Sequence, residues 1–503
     1  DNQISRGDVR DGMNPEVNSV GVEAVFDLSE GWTLENRFRI SDVSGNFNTL
    51  FPAEVGNTQQ IADSIAGSGA TVSYAVGPNA GSAYNGANAM RIHTFDVEIN
   101  DFGSIVNDLK LSRRFGDVDV NVGYYVADQN ISMSWLWNSY FMALKGDNAE
   151  LLNVNAQDGT AFSEQGLLAY GVPLWGNCCQ RNYDTRYSIK APYAGISWAY
   201  EKLSLDASIR RDNGNATGTY AGAAQSARDM NNDGVLSQVE QSVSGIDIAN
   251  PSLVNYSWGY NSYSVGANYQ FDNDWAVFAR ISKGGRANAD RLLFGKVNAD
   301  GSVAKQDAVD EVTQYEFGSK SRHGNLNLFA TAFFAETEEQ NFEATSQRFF
   351  DRVYKAQGVE LESSYRLGDL ELRGSVTLTD AEISKDALSP ELEGNTPRRQ
   401  ADMLYSLMAR YYLDKAQLGL SIIGTSDAYA QDNNDLKFSG YAQVNAFASY
   451  ELAENLQLSV NINNLFDEVG LTEAEEGSVP ANGIIRARTI NGRTASIGLR
   501  YQF

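Results

Sequence analysis

The stretch "NLQLSVNIN", residues 455 to 463, sets Leu456, Leu458, Val460 and Ile462 on one side of an extended chain and Gln457, Ser459, Asn461 and Asn463 on the other. A side-chain period of two predicts a β-strand with one apolar and one polar face. "LELRGSVTLT" repeats it, with Leu370, Leu372, Val376 and Leu378 opposite Glu371, Arg373, Ser375 and Thr377; "LGLSIIG" and "LNLFATAFF" follow the same rule. Such an apolar face packs on a second sheet in a sandwich, or meets lipid in a barrel whose polar face lines a lumen. Alternation alone fits both.

The connections between strands separate the two. Eight tight turns recur, in "FDLSEGWTL", "RRFGDVDV", "AYEKLSL", "YQFDNDWAV", "KSRHGNLNL", "YRLGDLEL", "YYLDKAQL" and "YELAENLQL". Most carry an aromatic just before the turn (Phe26, Phe115, Tyr200, Phe271, Tyr365, Tyr412, Tyr450), and Trp32 and Trp275 stand just after. Long polar segments lie between the hairpins, at 43–88, 135–180, 222–252, 287–308, 380–398 and 467–487. Short turns at one end, long loops at the other and aromatic rings at turn level predict an all-β fold, a transmembrane antiparallel β-barrel with extracellular loops and short periplasmic turns. Eight turns and a last strand give about seventeen strands. Closed bacterial barrels have even counts, so an odd number implies a miscount or strands outside this chain.

Composition narrows the partners. The chain has 503 residues and a formal charge of −25, which argues against a nucleic-acid backbone, whose contacts need clustered Lys and Arg. No run approaches the roughly 20 apolar residues of a membrane helix, and no signal-peptide pattern opens the chain. Cys178 and Cys179 are adjacent in "LWGNCCQRNY" and are the sole cysteines, so they form a vicinal disulfide, remain free thiols, or bridge to another molecule.

Several stretches carry a family likeness. "VNINNLFDEVGLTEAEEGS", "FARISKGGRANADRLLFG", "EGNTPRRQADMLYS" and the final "NGRTASIGLRYQF" resemble the C-terminal barrel of proteobacterial TonB-dependent receptors, the "NNLFD" hairpin and the aromatic ending being the most specific parts. The resemblance covers most of the chain and inclines to the carbohydrate-uptake branch over the siderophore receptors. It implies a 22-stranded barrel around an N-terminal plug, of which this chain would hold about seventeen strands and lack the plug, the TonB box and about the first five strands. It further implies an outer-membrane location among lipid and lipopolysaccharide, TonB–ExbB–ExbD as partner through the plug, and recognition of the last strand by the outer-membrane assembly machinery. In "TASIGLRYQF" the residues Ala495, Ile497, Leu499, Tyr501 and Phe503 share one face, as that recognition would require.

Inside the 222–252 loop, "DMNNDGVLSQVE" matches the calcium-loop pattern D-x-[DN]-x-[DN]-G-x5-E. Asp229, Asn231 and Asp233 would supply side-chain oxygens, Val235 a carbonyl, Ser237 a water-mediated contact and Glu240 a bidentate carboxylate to a structural Ca2+. "SQVE" also reads as a capping box starting an exiting helix, and Leu236 falls where such a loop packs inward. An Asx-rich surface turn is the other reading. Aromatics in the expected loops, Trp135, Trp137, Tyr140 and Phe141 in "SWLWNSYF", Tyr170 and Trp175 in "AYGVPLWGN" and Trp258 in "YSWGY", suit stacking on sugar rings or greasy siderophores, or else belong to an interfacial belt or to loop packing. Asn288, Asp290 and Arg291 in "RANADRLLF" either line the lumen toward ligand or fold a family hairpin.

Catalysis finds no support in the sequence. His93 and His323 lack zinc spacing, and neither a G-x-S-x-G elbow nor a P-loop occurs. The expectation is a receptor and transporter for a scarce small molecule or oligosaccharide, carbohydrate before siderophore. A passive sugar porin of about 18 strands and a surface adhesin or phage-binding barrel are the alternatives.

Overall fold

The computed structural model describes residues 4, 6–146, 148–288, 297–343 and 348–502. Its dominant feature is one antiparallel meander in which each strand pairs with its neighbours in sequence. It runs from Met13–Asp27 and Trp32–Asn57 to Leu456–Asn463 and Thr494–Tyr501. Asn88–Asp101 and Ser104–Phe115 pair with the same two flanking strands, so they are two halves of one crossing interrupted at Phe102 and Gly103. Counted that way, the described residues make seventeen crossings, in line with the turn count. Among the described residues no pairing joins Met13–Asp27 to Thr494–Tyr501. No helix is long and apolar enough to cross a membrane. Phe503, the expected terminal aromatic, lies outside the described residues.

All eight tight turns fall where the sequence places them, at 28–31, 116–117, 201–202, 271–274, 324–325, 368–369, 413–415 and 454–455. The opposite end departs from expectation in two ways. A further long connection, 426–440, closes with the small pairing Ala428–Tyr429 to Lys437–Phe438. Strands also run deep into segments expected to be loop: Trp32–Asn57 and Val118–Ala143 are 26 residues each. A tilted barrel strand needs about 9–11 residues to cross the bilayer. The surplus stands above the membrane, where no lipid requires an apolar outer face and the alternation fades.

Two loops build one lobe over these tall strands. Thr71–Tyr74, from 58–87, pairs with Leu152–Asn155, from 144–180. The helix Thr58–Ala66 starts where the Asn57 side chain accepts from the Gln60 N–H at 3.1 Å. Ile61 and Ala62 on its inner side pack with Phe141, Leu152 and Val154, all buried.

Candidate functional site at the extracellular rim

Residues directly opposite each other across a strand pair share a face. Near the tight turns, one face carries Ile196, Trp198, Leu205, Ile209, Val265, Phe317, Leu361 and Leu420, all exposed and apolar, as a lipid-facing ribbon must be. The other face carries polar pairs: Lys110 Nζ lies 2.6 Å from Glu35 Oε2, Arg280 Nη2 2.8 Å from Asp206 Oδ1, and the Tyr193 hydroxyl donates to Asp108 at 2.9 Å. This is the lumen face.

Followed upward past the membrane, the lumen parity becomes aromatic. Register places Phe95 against Trp137, Val97 against Trp135, Trp135 against Arg181, Met133 against Tyr183, and Trp258 against Gly214. Trp135 and Trp137 therefore sit on a strand and not in a loop; their spacing of two aims both rings inward. Their planes stack at 8° with centroids 6.0 Å apart. Phe95 meets Trp137 at 4.7 Å, and the Arg181 guanidinium lies 4.2 Å over Trp135.

Trp175 comes from the loop, in the short turn Pro173–Trp175, and joins this group: its ring is 5.8 Å from Trp137, 5.5 Å from Phe51 and 4.4 Å from His93. Cys178 and Cys179 are joined as a vicinal disulfide, and Cys179 is buried against Trp137 and Val172. Of the expected ligand-binding residues, the structure thus gathers Trp135, Trp137 and Trp175.

The others are placed differently. Trp258 is buried, its ring stacked over Gly214, where an added Cβ would come within 2.3 Å of the indole, and it packs with Tyr187 and Tyr256; it is a wall element. Tyr140 has the opposite parity. It lines an outer cavity of about 430 Å3 with Asn48, Asn138, Tyr170 and Met230, and burial pushes its hydroxyl pKa up. Asn288 is buried too, donating to the Asp307 carbonyl and to Asp310 Oδ1, both at 3.0 Å, so it anchors the base of a loop. Asp290 and Arg291 lie outside the described residues.

Sequence reasoning passed over His93, Phe95, Arg91 and Arg486. "RIHTFDVEIN" does alternate, with Arg91, His93, Phe95, Val97 and Ile99 on one face, but a lone histidine in a polar alternation carries no zinc spacing. Here His93 is fully buried, above the crossing half Ser104–Phe115. Desolvation first, then the charges of Arg91 and Arg486, push its pKa down to about 3, so it is neutral. Arg486 arrives from the last loop, 464–493. It donates to the Pro52 carbonyl, pairs with Glu476 at 2.5 Å and lies over Phe51 at 5.5 Å, while Asn482 Nδ2 donates to the Val55 carbonyl at 3.2 Å. That loop reaches the upper end of Trp32–Asn57.

The 229–240 loop is closed by backbone bonds to two of its carboxylates. Asp229 accepts from the N–H groups of Asn232 (2.6 Å) and Gly234 (2.8 Å), and Gly234 bends at φ 82°. Glu240 is 1% exposed and accepts from the N–H of Met230 at 2.7 Å and of Ser237 at 3.0 Å, closing the expected capping box. Those backbone bonds hold its pKa below the usual carboxylate range. Two expectations fail. The exiting helix is a single turn, Gln238–Glu240, because the extended pairing Val243–Ile246 begins at once, and Leu236 points outward, 45% exposed. Among the described residues no three acidic, histidine or cysteine side chains converge as a metal cluster.

Known proteins share this architecture. The model of the family "TonB dependent receptor-like, beta-barrel" matches residues 3–465. A pesticin receptor of Yersinia enterocolitica is 23% identical over 249 residues, which is 48% of this chain and 35% of that protein. The ferric-pyoverdine BN7/BN8 receptor of Pseudomonas putida is 27% identical over 212 residues, 40% of this chain and 24% of that protein. The crystal structure of the siderophore receptor PiuA of Acinetobacter baumannii superposes with a TM-score of 0.61 at 15% identity, covering 97% of this chain and 64% of that one. The chain spans less than two thirds of each of these proteins. Seventeen meandering strands, a lipid-facing ribbon, tight turns at one end with long loops at the other, and a family match over nearly the whole length lead to one conclusion: the chain belongs to the TonB-dependent receptor β-barrel family of the outer membrane.

Proposed function

We propose that the receptor to which this chain belongs captures a ferric siderophore or related metal chelate at the cell surface and imports it, with TonB–ExbB–ExbD supplying energy through a plug. The observation that carries the reading is the inward-facing aromatic cluster of Trp135, Trp137, Trp175 and Phe95 with the Arg181 guanidinium over Trp135, flanked by the ion pairs Arg91–Glu54 and Arg486–Glu476. Aromatic faces alone would suit a sugar equally. The Arg181 guanidinium over Trp135 favours an anionic chelate, and the relative named for ferric pyoverdine supports the siderophore option over the carbohydrate one. A passive porin loses its footing with the family match. The apolar ribbon would sit in lipid and lipopolysaccharide, and the last strand, Thr494–Tyr501, would be read by the assembly machinery.

The test is uptake of radiolabelled iron by iron-starved cells supplied with a panel of ferric chelates. Deleting the receptor, or TonB, abolishes uptake of at least one chelate. Uptake that survives loss of TonB contradicts the reading, and loss of oligosaccharide uptake alone restores the carbohydrate expectation.

We further propose that the 229–240 loop takes a structural calcium ion. Each carboxylate has about four lone-pair sites; Glu240 already accepts from the N–H groups of Met230, Asn231 and Ser237 and from the Ser237 hydroxyl, so calcium would take its bidentate place by displacing some of these bonds. Extracellular sites work with dissociation constants of roughly 0.1–1 mM. Calcium then raises protease resistance within 222–252; cleavage unchanged by EGTA contradicts this.

A further inference from the structure

The outward faces of Val118–Ala143, Arg181–Tyr200, Leu203–Ala221, Ser252–Gln270 and Trp275–Ala287 form rows, because partners across an antiparallel pair point the same way. One row holds Val120, Ile196, Ala207, Val265 and Ile281; the next row up holds Val122, Ala194, Ile209 and Tyr263. Both are apolar, as lipid requires. The wall then changes character. Arg211, the next outward residue above Ile209, sits opposite Asn261, and Lys190 sits between Val126 and Asn213.

Height identifies this boundary. Tyr200, at a tight turn, lies ten residues below Lys190 on the same strand, and about 9–11 residues cross a bilayer. Exposed Tyr124 and Tyr263 stand at the same level, where amphipathic rings mark an interface. Lys190 and Arg211 are therefore at the level of the outer headgroups. Both are exposed, and among the described residues neither meets a carboxylate: Arg211 donates to Asn213 at 3.1 Å and to Asn261 at 3.4 Å. The cations flanking them are occupied, Arg186 by Asp128 at 3.1 Å and Lys283 by Glu311 at 2.6 Å.

Charge sets this arc of the wall apart from the next. From Leu326–Glu343 to Leu370–Asp386 the outward positions at this level are acid-rich: Lys355 lies between Glu336 and Glu382, with Glu338 and Asp380 one row away. In a chain of net charge −25, the cationic arc is a local inversion. The apolar wall directly beneath it is also hollowed. Ala207, Ala267 and Ala279 floor a groove of about 750 Å3 between Ile196 and Trp198 on one flank and Tyr315 on the other. Such a hollow leaves its lining atoms short of contacts until a flexible hydrocarbon fills it.

We propose that Lys190 and Arg211 hold a phosphate of an outer-leaflet lipopolysaccharide whose acyl chain lies in the groove below. Ammonium and guanidinium groups bind phosphate oxygens by charge-assisted hydrogen bonds, and basic side chains at a membrane surface recruit anionic headgroups. Groove and cations stand one above the other, as do the acyl chain and phosphorylated head of one amphiphile. The acidic arc repels the same head, so the lipid is held on one side of the barrel. This rests on the placement of the apolar ribbon in lipid and lipopolysaccharide, names the group held and the strands that hold it, and is independent of the imported substrate.

The experiment is native mass spectrometry of the full receptor, delipidated in detergent, titrated with diphosphoryl lipid A, its dephosphorylated form and phosphatidylglycerol. Diphosphoryl lipid A binds roughly tenfold or more tighter than either of the others. Lys190→Gln combined with Arg211→Gln weakens it roughly tenfold, while Lys355→Gln combined with Lys385→Gln, on the acidic arc, leaves it within about twofold. Ala207→Leu combined with Ala267→Leu fills the groove and weakens both forms of lipid A. Heat-modifiable gel migration and insertion into phospholipid vesicles confirm that each variant is a folded barrel. If the Lys190 and Arg211 double variant binds diphosphoryl lipid A within about twofold of the native receptor, the site is wrong while the ribbon stands. Equal binding of either comparison lipid overturns the assignment to a phosphorylated glycolipid. Failure of the native receptor to insert into vesicles overturns the ribbon and this site together.

Discussion

Glu240 shows how much one carboxylate organises. It accepts from the N–H of Met230 and Ser237 and from the Ser237 hydroxyl, so both ends of the loop hang on its two oxygens. Its pKa is lowered first by the Ser237 backbone bond. A group whose folded pKa is depressed stabilises the fold above its unfolded value and loses that contribution as pH falls through the folded one. The amides of Met230 and Ser237 should therefore exchange slowly above about pH 4.3, the ordinary glutamate value, and faster below it. Hydrogen exchange followed by mass spectrometry across that range checks this; protection that is flat with pH would show that other bonds hold the loop. The capping box and the Asx turn were legible because they depend on residues a few positions apart. The outward Leu236 and the missing exit helix were not, because the pairing of Ala223–Ser226 with Val243–Ile246 decides them, and that pairing spans the whole loop.

At the scale of the element, alternation makes a sharp prediction. On Leu456–Asn463, Val460 faces lipid and its neighbour Asn461 faces the lumen, by the same parity that sets Val460 opposite Ala448 and Ile497. Val460→Arg should cost about 2–4 kcal/mol near the bilayer midplane, whereas Asn461→Arg should cost little. Denaturant unfolding in vesicles measures both, and equal costs would mean that the faces are misassigned. Near the tight turns, strand position and facing are local properties, and all eight turns stand where the pattern puts them. Farther up, the strands outrun the membrane and their outer face turns polar. "SWLWNSYF" then reads as loop although it is strand, and its tryptophans are wall and platform in place of a flexible fringe.

At the scale of the whole molecule, the rim is assembled from distant parts. His93 on Asn88–Asp101, Trp137 on Val118–Ala143, Trp175 from loop 144–180 and Arg486 from loop 464–493 meet only because register and loop crossing bring them together. No local pattern announces such a meeting, which is why aromatics were found and their cationic and histidine neighbours were missed. Everything functional depends on that rim facing outward from the cell. The direct measurement is labelling of intact cells with a membrane-impermeant maleimide after placing single cysteines at Asn250, Asp300 and Asn433, in the long connections, and at Asp117, Gly368 and Glu454, at the tight turns; the Cys178–Cys179 disulfide does not react. The account predicts that the first three label and the last three do not until the cells are broken. A tight turn labelled in intact cells would contradict it.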